Sequence, residues 1–429
     1  MDYQQAIHYL YNKLPVFSSI GAAAYKKDLT NTLALCHFIG DPQTRFKSVH
    51  IAGTNGKGST SHMLAAIFQT AGYKTGLYTS PHLKDFRERI RINGEMIREE
   101  FVTDFVQRIS GLSEEIEPSF FEVTVAMAFE YFAIEQVDIA IIEVGLGGRL
   151  DSTNIILPEL SVITNIGYDH MSLLGDTLEK IAFEKAGIIK YRTPVIIGES
   201  NPETQQVFEQ IAAEAEAPVY FADRIRFTGD WKFGRHSLVV EVTSVHSNEK
   251  EYYELDLPGI YQTRNLVTVL EAVNILQTKG WTISPQQVLK ALKHVKKLTG
   301  LHGRWETIHE HPSIVLDVAH NEDGIRQLTR QIELTDHEEL HIVFGMVKDK
   351  ETDRVLTLLP KQANYYFTRA QIPRALPEDQ LADKARLHGL TGEPYPTVKQ
   401  ALQVAIGHAA PRDLIVVCGS VFIVGEVEA

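Results

Sequence analysis

The segment Gly53-Thr54-Asn55-Gly56-Lys57-Gly58-Ser59-Thr60 sets glycines, a lysine and hydroxyls within eight positions, the make-up of a loop that cradles phosphates. Glycine lets the backbone approach an oxyanion closely, and the first N–H groups of a following helix have no internal partner and point at it. Lys57 adds a point charge on the outer phosphates, and Ser59 a hydroxyl close to a magnesium ion. The flanks are in the required order. Val49 to Ala52 reads as a short buried strand, and Ser59 to Ala71 carries Met63, Leu64, Ile67 and Phe68 at helical spacing. One feature departs from the usual loop: Gly58 stands between the lysine and the hydroxyls. An ordinary glycine-rich strand-to-helix turn is the alternative reading, and the lysine and the flanks argue against it.

Four further clusters follow expected strands. Tyr78-Thr79-Ser80-Pro81-His82 has the composition of a turn as much as of a site. The apolar run Asp138 to Ile142 ends in Glu143, followed by Val144-Gly145-Leu146-Gly147-Gly148-Arg149-Leu150-Asp151. A carboxylate at a strand tip beside a phosphate loop is a usual way to hold a magnesium ion. Thr164 to His170 places His170 where it either ligates a metal or packs, and Glu184-Lys185-Ala186-Gly187 reads as a helix end, where a lysine commonly complements the helix dipole. Last, Ile314 to Leu316 runs into Asp317-Val318-Ala319-His320-Asn321, with Arg304 shortly before it. Asp317 would suit a ribose or base, His320 a substrate carboxylate, and Arg304 the phosphates.

From residue 46 onward short apolar runs alternate with helical patterns, the signature of a parallel sheet wrapped by helices. Strands are expected at 49–52, 75–78, 138–144, 160–164 and 194–197, with helices at 59–71, 99–110, 123–136 and 177–186. Residues 217–257 read as antiparallel strands appended to that sheet, followed by helices at 265–278 and 285–296. A second α/β series starts near Ser313, with strands at 314–317, 341–344, 365–368 and 414–417 and helices at 323–332, 352–359 and 398–408. The polar, glycine-punctuated Lys297 to Gly303 marks the boundary, giving domains of 1–298 and 299–429. Ligands in such sheets bind beyond the carboxyl ends of strands, which places the site between the two domains.

The whole chain is 429 residues, 44% hydrophobic and 23% charged, an ordinary globular composition with room for two to three domains. A formal charge of −13 argues against nucleic acid as a partner. The basic residues Lys84, Arg87, Arg89 and Arg91 form either a solvated face or a contact for a small anion. No apolar run is of membrane-spanning length, and Met1-Asp2-Tyr3-Gln4-Gln5 lacks a secretory pattern, so the expectation is a cytoplasmic protein without a membrane partner. Cys36 and Cys418, each among apolar residues, read as buried packing thiols rather than a disulfide or metal ligands.

Taken together the motifs resemble those of the Mur ligase superfamily, and within it the family of bacterial bifunctional dihydrofolate synthase/folylpolyglutamate synthases. The resemblance is carried by Gly53 to Ser59, Tyr78 to Leu83, Phe120-Phe121-Glu122, Glu143 to Asn154, Asp169-His170, Glu184 to Lys190, Asn265, Gly303-Arg304, Asp317 to Asn321 and Phe344 to Lys350. The intervening Gly58 is a feature of that family. The resemblance implies a P-loop domain with a mostly parallel sheet and appended antiparallel strands, followed by a smaller Rossmann-like α/β domain that serves glutamate ligation. It implies that ATP phosphorylates a substrate carboxylate and that L-glutamate attacks the acyl phosphate. Dihydropteroate and reduced folates are the implied acceptors; folylpolyglutamate synthesis alone, or another Mur-type amino-acid ligation, is the alternative.

Thr54, Asn55, Gly56, Lys57, Gly58, Ser59, Asn265, Arg304 and Asp317 are implied to bind ATP. Ser80, Glu143 and His170 are implied to hold magnesium, and Lys185, as a carbamate, a second magnesium ion. Phe121, Glu122, Leu150, Asp151 and Ser152 match a pterin-side pocket, and His320 and Ser420 the glutamate side. Lys57, Lys185 and His320 are the implied catalytic set. A monovalent cation is left open, and a monomer is expected. Residues 20–25 fall where bifunctional members hold dihydropteroate. A nucleotide switch or transport ATPase is the competing class, and it leaves the second α/β series without a task.

Overall fold

The computed structural model describes residues 1–17, 21, 28–245, 247–348 and 350–428. Of the segment 20–25 only Gly21 is among them, and Asp349 also lies outside the described residues. The first sheet is built from β1 (Lys47–Ala52), β2 (Thr75–Tyr78), β3 (Ile90–Ile92), β4 (Glu95–Met96), β5 (Ile139–Glu143), β6 (Leu160–Ile163), β7 (Val195–Ile197) and β8 (Val219–Phe221). Their order is β4-β3-β2-β5-β1-β6-β7-β8, parallel from β2 to β8 and antiparallel at the β3 and β4 edge.

The two-residue period of β5 explains its burial. Ile139 and Ile141 enter the core shared with the helices Lys57–Thr70 and Gln262–Thr278. Ala140 and Ile142 enter the core on the opposite face, with the helices Glu99–Ile116 and Phe120–Ile134. A strand covered on both faces must be apolar throughout, and each fully buried Ile contributes about 1.5–3 kcal/mol. Only the strand tip is free to carry a charge, and that tip is Glu143, paired in register with Ile51 of β1.

Three antiparallel strands follow, β9 (Arg226–Phe233), β10 (Leu238–Ser244) and β11 (Lys250–Leu255), in the order β11-β10-β9. They form a sheet of their own that buries Leu238, Val240 and Val242 in the same core as the helix Gln262–Thr278. The second α/β series comprises β12 (Glu306–Glu310), β13 (Ser313–Leu316), β14 (Leu340–Phe344), β15 (Asn364–Thr368), β16 (Gly392–Tyr395) and β17 (Leu414–Cys418). Its order is β12-β13-β17-β14-β15-β16, parallel except for β12, with apolar cores on both faces. The edge strands β12 and β16 escape a hydrophobicity reading because Glu306, His309, Glu310, Glu393 and Pro394 occupy them, as suits an edge that must not pair further.

In the first sheet the chain passes from β1 to β2 on one side and from β6 to β8 on the other, so the order reverses beside β1. The crevice beyond the carboxyl ends of β1, β5 and β6 is where such a sheet accepts ligands.

Candidate active site

The phosphate loop occupies that crevice and is stitched to the loop after β6. Thr54 N–H donates to Asn165 O at 3.0 Å, Asn55 N–H to Asn165 Oδ1 at 2.8 Å, and Thr54 Oγ1 to Gly167 O at 3.0 Å. Gly56 caps the helix Lys57–Thr70 with φ +84°, and a side chain there would overlap Asn265 Oδ1. Gly58 now has a physical reason. A Cβ on it would stand 3.1 Å from Arg304 Nη2, so its bareness leaves room for that guanidinium at the start of the helix, with the Glu143 carboxylate oxygens at an ordinary 3.9 Å.

Lys57 bends back over the loop, its Nζ donating to Gly53 O at 2.9 Å and Thr54 O at 3.2 Å. Lys185 reaches the same acceptor, Gly53 O, at 2.9 Å. It closes the helix Leu178–Ala186, as a helix-end lysine would, yet it is 4% exposed and turned inward rather than solvated. Burial, with Lys57 adjacent, pushes its ammonium down to about 7. Lys57 is also lowered by burial, against the pull of Glu143 and Asp169.

Glu143 is 5% exposed and receives Ser80 N–H at 3.3 Å. Burial raises its carboxyl to about 6, although Lys57 and Arg304 oppose the shift. His170, in the left-handed region at φ 50°, lies with its Nε2 3.8 Å from Asp169 Oδ1 and 3.4 Å from Lys350 Nζ. Burial holds its imidazole down at about 3, the neutral form a metal ligand needs. Ser59 faces elsewhere than a cation: its Oγ accepts from Gln262 Nε2 at 3.0 Å.

On the second sheet Asp317 Oδ2 accepts from Tyr261 OH at 2.7 Å and Trp305 N–H at 3.0 Å, and Oδ1 from Ala319 N–H at 2.9 Å. His320 donates from Nδ1 to Val318 O at 2.9 Å. Ser420 caps the helix Val421–Gly425, its Oγ accepting Ile423 N–H at 3.1 Å. On the opposite wall Phe121 lies against Gly145, where a Cβ would overlap its ring. Glu122 takes part in the capping box of its helix with Oε2 accepting Ser119 N–H at 2.6 Å, while its Oε1 is buried with no partner. Leu150 is half-buried and Ser152 buried. Asp151 caps the turn Ser152–Ile155 and accepts Leu146 N–H at 2.8 Å. Asn265 donates to Gln262 Oε1 at 2.8 Å.

The sequence-predicted site residues all line one cavity of about 760 Å³ between the carboxyl ends of the two parallel sheets. The four-residue basic cluster divides. Arg87 pairs with Asp85 and Glu99, Lys84 is exposed, and Arg89 and Arg91 line the cavity. Arg89 is buried, donates to His82 Nδ1 at 2.7 Å and covers the Phe120 ring at 5.1 Å. Lys350 and Asn321, present in the sequence motifs without an assigned role, and Tyr261, which the sequence did not single out, also line or frame the cavity. A different Glu/His/Asp group, Glu339, His341 and Asp413, lies at the amino ends of β14 and β17, away from the cavity, with His341 bonded to Tyr366 OH at 3.0 Å. The thiols Cys36 and Cys418 are buried and unpaired with each other.

The Mur ligase middle domain matches residues 51–273, and the Mur ligase glutamate ligase domain matches residues 303–421. The chain belongs to the Mur ligase family. Among curated relatives it is 33% identical over 402 residues to the Bacillus subtilis dihydrofolate synthase/folylpolyglutamate synthase, covering 91% of each chain. It is 30% identical over 437 residues to a Haloferax volcanii protein described as a probable bifunctional folylpolyglutamate synthase/dihydropteroate synthase, covering 99% of this chain but only 50% of that longer one. Among solved structures it resembles Escherichia coli FolC in complex with DHPP and ADP, with a TM-score of 0.83 and 28% identity over 99% of this chain and 96% of the other. Within the Mur ligase family it thus falls with the dihydrofolate synthase/folylpolyglutamate synthases.

Proposed function

We propose that this chain is an ATP-dependent amide ligase that adds L-glutamate to dihydropteroate and to reduced folates through an acyl phosphate. The observation that carries this reading is the single cavity in which a phosphate loop, a buried strand-tip carboxylate and polar residues of a second α/β unit meet. Residues 1–298 form the ATP-binding domain and 299–429 the glutamate-side domain. The working unit proposed is a monomer.

Phosphoryl transfer between two anions is mainly a matter of positioning and neutralising charge. The loop N–H groups and Lys57 hold the β- and γ-phosphates of ATP, while Arg304, 3.1 Å from where a Gly58 side chain would begin, faces the same phosphates from the second unit. Asn265 and Asp317 flank the nucleoside. Phe121 gives the pterin a stacking face, and the orphaned Glu122 Oε1 accepts from its amino groups. Leu150, Asp151 and Ser152 close that wall, and His320 and Ser420 face the incoming glutamate.

The donor set fits magnesium. Glu143 is a buried carboxylate with a raised pKa beside Ser80, the condition of a group set up to receive a cation. Ser80, Glu143 and His170 would hold one ion and carbamylated Lys185 a second; bound magnesium neutralises the charge shared by ATP and the acceptor carboxylate. Lys185 supports its part in this, since an amine held near neutrality is available in the uncharged form that adds carbon dioxide. The test is phosphate release from ATP and magnesium by the purified protein with glutamate and either dihydropteroate or tetrahydrofolate. Phosphate release and amide formation with at least one acceptor are expected; no reaction with either overturns the proposal.

A further inference from the structure

Asp169 stands one residue before His170 on the loop after β6, and its carboxylate faces almost entirely toward the second α/β unit. Oδ1 forms an ion pair with Lys350 Nζ, the two side chains being only 11% and 9% exposed, and also accepts the His170 N–H at 2.8 Å. Oδ2 accepts from Asn321 Nδ2 at 3.2 Å and lies 3.4 Å from His320 Nε2. Lys350 follows β14, and His320 and Asn321 follow β13, so one carboxylate gathers groups from two strand ends of the other sheet. Asn321 continues the chain of contacts into the phosphate loop: its Nδ2 donates to Asn55 Oδ1 at 3.0 Å, and Asn55 Nδ2 returns to Asn321 Oδ1 at 3.2 Å.

We propose that Asp169 is a positioning residue that latches the second unit over the phosphate loop, holding Lys350, His320 and Asn321 at the acyl-phosphate position. Three features support a latch rather than a local loop brace. Apart from the His170 N–H, the side-chain partners that the carboxylate faces from beyond its own loop all lie on the other unit. The ion pair is largely shielded from water, so separating the units leaves each charge to be rehydrated, and removing one partner leaves the other poorly compensated. The amide pair between Asn55 and Asn321 makes the contact sensitive to the loop that receives the nucleotide. Lys350 Nζ also lies 3.4 Å from His170 Nε2.

The consequence for chemistry rests on the function proposed above. An acyl phosphate exposed by a loosened second unit meets water as well as the glutamate amine. Attack by water consumes one water molecule, releases phosphate and returns the original carboxylate, with no amide formed. A latch therefore governs the ratio of phosphate released to glutamate incorporated, a quantity that mere loss of folded protein leaves unchanged.

The full-length protein and the variants Asp169→Asn, Lys350→Met and the double variant form the test, read in two ways. Small-angle scattering without nucleotide and with AMPPCP, a non-hydrolysable ATP analogue, reads closure independently of any activity. Both single variants are expected to show a larger radius of gyration than the parent protein, and the double variant no further increase. In turnover, the phosphate-to-amide ratio is expected to rise about tenfold in each single variant, the factor one charge-assisted hydrogen bond is worth. The double variant should match the singles rather than multiply them. Unchanged scattering and a one-to-one ratio in Asp169→Asn, or effects that multiply in the double variant, overturn the latch. A parent protein that forms no amide overturns the function and leaves the scattering arm to decide the latch.

Discussion

The carboxyl ends of the two parallel sheets make a useful contrast. On the first sheet they are held open: Glu143 is a buried carboxylate with a single backbone donor, Lys57 and Lys185 share one carbonyl, and the glycines at 56 and 58 keep space clear. On the second sheet they are closed: both oxygens of Asp317 are taken up by Tyr261, Trp305 and Ala319, and Ser420 caps a short helix. Buried polar groups that lack protein partners are costly unless a ligand supplies them. The first set of strand ends is therefore built to be completed by substrates, and the second to hold a fixed shape that is brought up to them.

Substitutions should separate the two accordingly. The largest effect is expected from Lys57→Ala, which removes charge at the phosphates while leaving the fold intact. Turnover should fall by at least ~10²–10³-fold with an unchanged melting temperature. Near-normal phosphate release would remove Lys57 from the site. Next comes Lys185→Ala, which should lose most activity and regain part of it with bicarbonate or a short carboxylate. Its amine, held at about 7, is mainly cationic below that pH and neutral above it, so at equal dissolved carbon dioxide reloading of the native protein should be faster at pH 8 than at pH 6. Activity that is indifferent to both would leave Lys185 as a structural helix end.

Much of the open half was legible beforehand, because it obeys local rules. A glycine loop between a strand and a helix, and a charge at the tip of an otherwise apolar strand, are visible in the letters alone. The closed half was harder. That Asp317 spends its oxygens on Tyr261 and Trp305, and that Ser59 faces Gln262 instead of a cation, depends on residues that meet only after folding. Lys185 looked like a helix end and is one, yet its direction is set by the packing of the helix Leu178–Ala186 beneath the loop. Asp169 was visible only as part of a motif, since its partners lie more than a hundred residues away. The edge strands β12 and β16 were missed for a different reason: polar edges carry no alternation to read.

Gly56→Ala tests the open half sterically. The residue has φ +84° and faces Asn265, so about 1–3 kcal/mol of strain should appear as weaker ADP binding by calorimetry. Unaltered binding would mean that the loop relaxes freely. For the closed half, Asp317→Asn turns one acceptor into a donor facing the Trp305 N–H or the Tyr261 hydroxyl, and should lower unfolding free energy by about 1–3 kcal/mol. A rise in the KM for ATP should accompany that loss, since Asp317 flanks the nucleoside in the proposed function; unchanged stability would move Asp317 into the open class. The smallest effect is expected from Ser420→Ala, about 1 kcal/mol of stability from the lost cap, read by denaturant titration.

The most direct measurement is the dependence of phosphate release on each co-substrate, with the purified protein, ATP and magnesium held constant. The account predicts release only when a pterin acid and L-glutamate are both present, at one phosphate per amide formed. Phosphate released at the same rate with glutamate and acceptor omitted would contradict it, and would make the phosphate loop the engine of a plain ATPase.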